Sequence, residues 1–166
     1  MFAGYGKGMV INMLINTRCF GEINLDENKI VTFESGLMGF EQYKKFTILY
    51  NIEDEKSKIS WLQSVDEPSL ALPIIAPGVV KEDYNPTVED EVLRPLGELT
   101  DENLVVFLTV TVPSDIKKTT VNLKAPIIIN ADTRKGCQII VENSEYTVRY
   151  NVYDIMKERK KDKGVE

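Results

Sequence analysis

The sequence predicts an all-β fold, a small antiparallel β-barrel-like or sandwich domain with one or two short helices. Three observations predict it. The apolar residues fall in short runs rich in β-branched and aromatic side chains, turn formers separate those runs, and no long helical pattern alternates with them as a βαβ layout requires. A chain of 166 residues fits one domain, and 43% apolar with 28% charged residues is the balance of a water-soluble core-forming protein.

In chain order the predicted strands are Met13 to Phe20, Glu22 to Leu25, Lys29 to Phe33, Phe46 to Tyr50, Ile59 to Ser64, Ala71 to Ile75, Leu104 to Val112, Val121 to Leu123, Pro126 to Asn130, Gln138 to Glu142 and Tyr146 to Tyr150. Asp26-Glu27-Asn28 is expected to close one hairpin and Asn143-Ser144 another. In the latter, Tyr146, Val148 and Tyr150 alternate with Thr147 and Arg149, the period of two of a half-buried strand. Helix is confined to a turn near Gly39 to Lys44, one near Val92 to Leu99 that Pro95 keeps short, and a helix from Tyr153 to about Lys161. Residues 1–12 read as a leader or upstream-start segment, 13–153 as the single β-domain and 154–166 as a short charged helix or tail. The first twelve residues lack an apolar run long enough for a signal peptide, so the expected compartment is the cytoplasm.

Charge narrows the function. The net charge is −6, and residues 13–156 alone hold 14 basic against 23 acidic groups, a net of −9. Such a body repels phosphate, so direct nucleic-acid binding is disfavoured. The chain has no histidine, which removes the commonest general base and zinc ligand. Cys19 and Cys137 form no CxxC pair, so no metal, redox or other cofactor site is expected.

The remaining candidates are surfaces. Residues 81–102 carry eight carboxylates against Lys81 and Arg94, either a solvated face or a contact patch for a basic partner; Glu82, Asp83, Glu89, Asp90 and Glu91 are its candidate contact residues. Phe40 and Tyr43 flank a glycine-rich turn and are candidate apolar anchors. Trp61, the sole tryptophan, fits core packing or a partly exposed anchor. Gly36-Leu37-Met38-Gly39 lacks the spacing of a phosphate-binding loop and reads as turn chemistry.

Phe33-Glu34-Ser35-Gly36-Leu37-Met38-Gly39-Phe40-Glu41 resembles the FxxGLxGFE signature of the flagellar assembly factor FliW family. Val121-Asn122-Leu123-Lys124-Ala125-Pro126-Ile127-Ile128-Ile129-Asn130 resembles its VNLxAPIxxN segment. Gly136-Cys137-Gln138 followed by Tyr146, Ile15-Asn16-Thr17-Arg18 leading into Phe20-Gly21-Glu22-Ile23, and Leu62-Gln63-Ser64 extend the likeness from about Met13 to Tyr150. Met38 stands where that family is expected to place proline, which removes a fixed φ from the turn and leaves its glycines.

The resemblance implies a small, non-catalytic, barrel-like cytoplasmic protein with two protein partners, flagellin and the RNA-binding translational regulator CsrA. By that reading, export of flagellin frees the protein to capture CsrA beside its RNA-binding surface, relieving repression of flagellin synthesis. A general chaperone for secreted flagellar subunits is the alternative, and a monomer is expected. A small β-domain enzyme or a carbohydrate-binding module is the rival class, but one tryptophan with dispersed tyrosines does not make a sugar-stacking row.

Overall fold

The computed structural model describes residues 12–18, 20–50 and 58–164. Among them the strands are β1 (Asn12–Thr17), β2 (Gly21–Asp26), β3 (Val31–Phe33), β4 (Lys45–Tyr50), β5 (Ile59–Ser64), β6 (Ala71–Ile75), β7 (Leu104–Thr111), β8 (Thr120–Val121), β9 (Ile127–Asn130), β10 (Lys135–Gln138) and β11 (Tyr150–Asn151). Seven of these close a barrel in the order β7-β6-β5-β4-β3-β10-β9, with β9 returning to β7. Closure removes the open edges that a flat sheet of this size would present. The barrel ladders are antiparallel except β3–β10, where Lys135 and Gly136 run parallel to Thr32 and Phe33. Strands β8 and β11 extend one end of β7, and β1–β2 form a separate antiparallel pair.

Two cores share β6 and β7. Because successive strand residues point to opposite faces, Ile74 and Phe107 enter the barrel with Phe33, Phe46, Leu62, Ile127 and Ile129. Their neighbours Ile75 and Leu108 face a second cluster with Val80, Val121, Leu123, Val141, Tyr146 and Val152. This second core is covered by α1 (Pro77–Val80) and by α3 (Tyr153–Gly164), whose Met156 packs against it. A third helical turn, α2 (Asp90–Leu93), runs into a 3-10 turn over Arg94–Leu96 and stops at Gly97, φ +87°. The helical run thus ends at Gly97, earlier than the expected Leu99.

Buried polar side chains fasten the loops to this frame. The amide of Asn130 donates to the carbonyls of Leu96 (2.9 Å) and Glu98 (3.0 Å), while its oxygen accepts from the amides of Asp132 and Thr133. Gln63 donates to the carbonyls of Ser64, Pro68 and Leu70, which shapes the β5–β6 turn. Trp61 lies on the outer side of β5, half-buried, in a T-shaped contact with Phe20 at 5.8 Å between ring centroids.

Several expectations are corrected. Residues 39–44 make turns instead of helix, with Phe40 N–H donating to Leu37 and Tyr43 N–H to Phe40, because Gly39 at φ +87° leaves the helical region. Gly36, at φ +69°, has no room for a side chain: a Cβ there would lie 2.5 Å from the Glu41 backbone. Asp26 does not close a hairpin. Its carboxylate accepts from Asn28 N–H and sets a 3-10 turn over Glu27–Lys29, carrying the chain from the β1–β2 pair into the barrel; β3 accordingly starts at Val31, not Lys29.

The Asn143-Ser144 hairpin is also absent. Residues 138–151 run antiparallel along 120–127: Gln138 pairs with Ile127, Ile139 and Val141 N–H donate to Pro126 and Lys124, and Tyr150 pairs with Val121. Between these paired ends five residues on one side therefore face eleven on the other, and the excess around 142–146 loops out. Tyr146 is buried and Val148 is 58% exposed, so the two do not share a face. Local alternation is real there, but the partner is a distant segment. The expected leader lies mainly outside the described residues, apart from Asn12, which opens β1.

Candidate functional site

The acidic run is divided by its own anchors. Tyr84 donates its hydroxyl to the Leu123 carbonyl at 2.8 Å, Asn85 N–H donates to the Tyr146 hydroxyl at 2.8 Å, and Thr87 N–H donates to Asn143 Oδ1 at 2.8 Å. Val88 adds its side chain to the second core. These ties lash residues 84–88 to the 142–146 excursion and leave the carboxylates outward on either side.

On one side stand Glu82 and Asp83, both exposed. Asp83 pairs with Lys81 at 3.1 Å, and the Lys81 ammonium also lies 5.7 Å from the centre of the Tyr150 ring. The hydrogen bond with Asp83 raises the Lys81 pKa, and the same bond holds the Asp83 carboxyl below its usual value. On the other side stand Glu89, Asp90 and Glu91, exposed at the start of α2 where acidic side chains suit the helix dipole. The sequence treats these five acids as one patch; the structure assigns them to two.

The Glu89 side opens onto a groove. Thr87, Val88, Glu89 and Val92 face Ile139, Ile140 and Glu142 across a hollow of about 190 Å³. Its continuation, about 250 Å³, lies between Val92, Pro95 and Leu96 on one wall and Gly136, Cys137, Gln138 and Ile139 on the other, with Glu34 and Ser35 at the far end. Ile140 is 65% and Val92 45% exposed, so each wall presents an open apolar side chain. Carboxylates of Glu34, Glu89 and Glu142 stand around the groove, with Lys135 reaching Glu34 at 3.9 Å. Burial raises the Cys137 thiol pKa and keeps it in its protonated, poorly nucleophilic form.

The glycine-rich turn meets the same groove at its far end. Met38 N–H donates to Gln138 Oε1 at 2.9 Å, so the segment bearing Phe40 is tied to the strand that forms one wall. Phe40 is half-buried and bridged to Leu37. Tyr43 packs against the barrel core and so has a structural task beside any contact role. Glu89 and the Met38 end of the turn thus border one groove, which neither Phe40 nor Tyr43 lines, whereas Glu82 and Asp83 belong to another branch. Among the described residues no three Cys, Asp or Glu side chains converge to hold a metal ion, and no helix is long and apolar enough to cross a membrane.

A family model described as FliW protein matches residues 14–152. The chain belongs to the FliW family. It is 57% identical over 150 residues to the flagellar assembly factor FliW of Lachnoclostridium phytofermentans, covering 90% of this chain and 96% of that one. Identity to the corresponding factor of Lachnospira eligens is 53% over 147 residues, 87% and 97% of the two chains. A crystal structure of the flagellar assembly factor FliW superposes with a TM-score of 0.77 at 32% identity, covering 84% of this chain and 96% of that one.

The motifs that carry the FliW resemblance are largely scaffold. Asn122 Oδ1 accepts from the amides of Lys124 and Ala125, Asn130 holds the 96–98 loop, Gln63 shapes a turn, and Gly36 makes room for Glu41. The groove residues Ile140, Val92, Glu142 and Glu34 are absent from the sequence-level candidates. One signal could have found Ile140: Ile139 and Ile140 are adjacent, and in an extended run one of two neighbours must face away from the core.

Proposed function

We propose that this chain serves flagellar assembly by binding two proteins in turn, flagellin and a CsrA-type RNA-binding regulator, in the cytoplasm, as a monomer and without catalysis or nucleic-acid contact of its own. The observation that carries this reading is the placement of Glu89, which lines the groove with the exposed Val92 and Ile140 while Asp90 and Glu91 follow it at the start of α2. An RNA-binding regulator needs basic side chains to hold phosphate, and an acidic rim beside open apolar side chains complements such a surface. The field of the rim also weakens RNA binding by a docked regulator without covering its RNA site. Exchange between partners then follows mass action, flagellin holding the protein away from the regulator while free flagellin exceeds its dissociation constant.

Pull-down from a lysate of a flagellated bacterium tests it. Recovery of both flagellin and the CsrA-type regulator, with added flagellin displacing the regulator, is expected. Recovery of flagellin alone leaves a chaperone for secreted flagellar subunits and removes the regulatory half.

A further inference from the structure

The extended segment 139–142 that continues β10 along one wall of the groove has an edge that no described residue pairs with. In its antiparallel run along 124–127, Ile139 and Val141 donate their amides to Pro126 at 3.2 Å and Lys124 at 2.9 Å. Alternation then points the N–H and C=O of Ile140 the opposite way, into the groove. On that side β3 accompanies β10 only as far as Gly136. Ile140 and Glu142 take part in no hydrogen bond among the described residues. Open edges are commonly guarded by lysine, proline or a charge at the centre, yet Gln138 to Glu142 reads Gln-Ile-Ile-Val-Glu, with its charge at the end and a 65% exposed isoleucine in the middle.

We propose that this edge receives an extended segment of another protein by strand addition, and that the segment alternates apolar residues between lysine or arginine flanks. The backbone of the guest meets the open N–H and C=O of Ile140. Its apolar side chains lie on Ile140 and Val92, and its cations reach Glu34, Glu89 and Glu142. A second copy of this chain is a poor occupant, because pairing edge to edge would bring the same carboxylates together. A helical guest satisfies its own backbone and leaves the strand's groups unmet.

The test uses the full chain, labelled with nitrogen-15, and a capped synthetic peptide of alternating valine and threonine with two lysines at each end. Two twins of the peptide carry N-methyl groups on one or the other alternate set of amides. Saturable binding is expected, with slower hydrogen exchange at the amides of Ile140 and Glu142 and with one twin weakened by at least about tenfold while the other binds. Ile140→Pro removes an N–H that the ladder does not use, so the fold should persist and binding fall by the same factor; Ile140→Thr keeps the N–H and should bind more tightly than the proline variant. No saturable binding up to about 1 mM, equal binding by both twins, or a solution dimer that Ile140→Pro dissolves would each overturn the proposal. None of these readouts involves flagellin or the regulator, so failure here is separable from failure of the pull-down.

Discussion

The ring of Tyr84 lies 4.7 Å from that of Tyr146, tilted by 40°, and each hydroxyl closes a hydrogen bond to a different segment. Tyr84 reaches the Leu123 carbonyl, and Tyr146 receives the Asn85 amide. The pair is therefore the joint between the acidic run, the 142–146 excursion and the 120–127 segment. It also sets where Glu89 can stand relative to Ile140.

Alkaline pH should loosen this joint. Burial first, and the neighbouring Tyr146 second, raise the Tyr84 pKa far above its usual 10.0. A raised folded-state value means that the native protein retains a proton which the unfolded chain gives up, so stability is fully present below about pH 10 and is lost as pH climbs from there toward the folded value. Tyr84→Phe removes the titrating group together with the Leu123 bond. At pH 7 the variant should lose about 1 kcal/mol in urea unfolding. Between about pH 10 and pH 11 the parent should lose stability more steeply than the variant. Parallel losses over that interval would show that Tyr84 is not the responsible group.

How much of this was legible in the sequence depends on how far away each residue's partner lies. Ile59–Ser64 and Ala71–Ile75 are bounded as expected, since turn formers flank them and their neighbours in sequence are their neighbours in the sheet. Residues 138–150 mislead because Tyr146, Val148 and Tyr150 alternate as a hairpin strand would, while the true partner, residues 120–127, is fixed by tertiary pairing. The carboxylates were visible as a composition, but their division into two groups follows from Tyr84, Asn85 and Thr87, whose acceptors are 39 to 61 positions away. The groove draws Glu34, Val92 and Ile140 from three separate stretches, and no local pattern joins them.

Gly136 and Phe33 offer a test of the barrel seam. They are register partners in the parallel β3–β10 pair, and a Cβ on Gly136 would lie 2.5 Å from Cε2 of the fully buried Phe33 ring. Gly136→Ala should destabilise by about 1–3 kcal/mol through overpacking. If the cause is that contact, Phe33→Leu should cost less in the Gly136→Ala background than in the parent, giving a coupling of at least about 0.5 kcal/mol in a double-mutant cycle read by urea midpoints. Strict additivity of the two substitutions would place the strain elsewhere.

Reversal of Glu89, Asp90 and Glu91 to lysine bears on the electrostatic half of the proposed function. All three are exposed, and none enters an ion pair among the described residues, so the fold should lose little beyond a favourable helix-end interaction of about 0.3–1 kcal/mol. Steering acts on encounter, so association with a CsrA-type regulator should slow by about tenfold at low salt while dissociation changes less. Because the screening length is about 10 Å at 0.1 M salt, raising salt from about 50 to about 300 mM should slow the parent markedly and the variant little. Reversal of Glu82 and Asp83 supplies the comparison. If the field of the whole molecule steers, each reversed charge there should matter as much as one at 89–91; if the groove rim steers, the effect per charge should be smaller, since Asp83 is already paired with Lys81 on the other branch. Association rates that stay the same for all three proteins across the salt series would remove charge steering from the mechanism and leave the open apolar side chains of Val92 and Ile140 as the source of affinity.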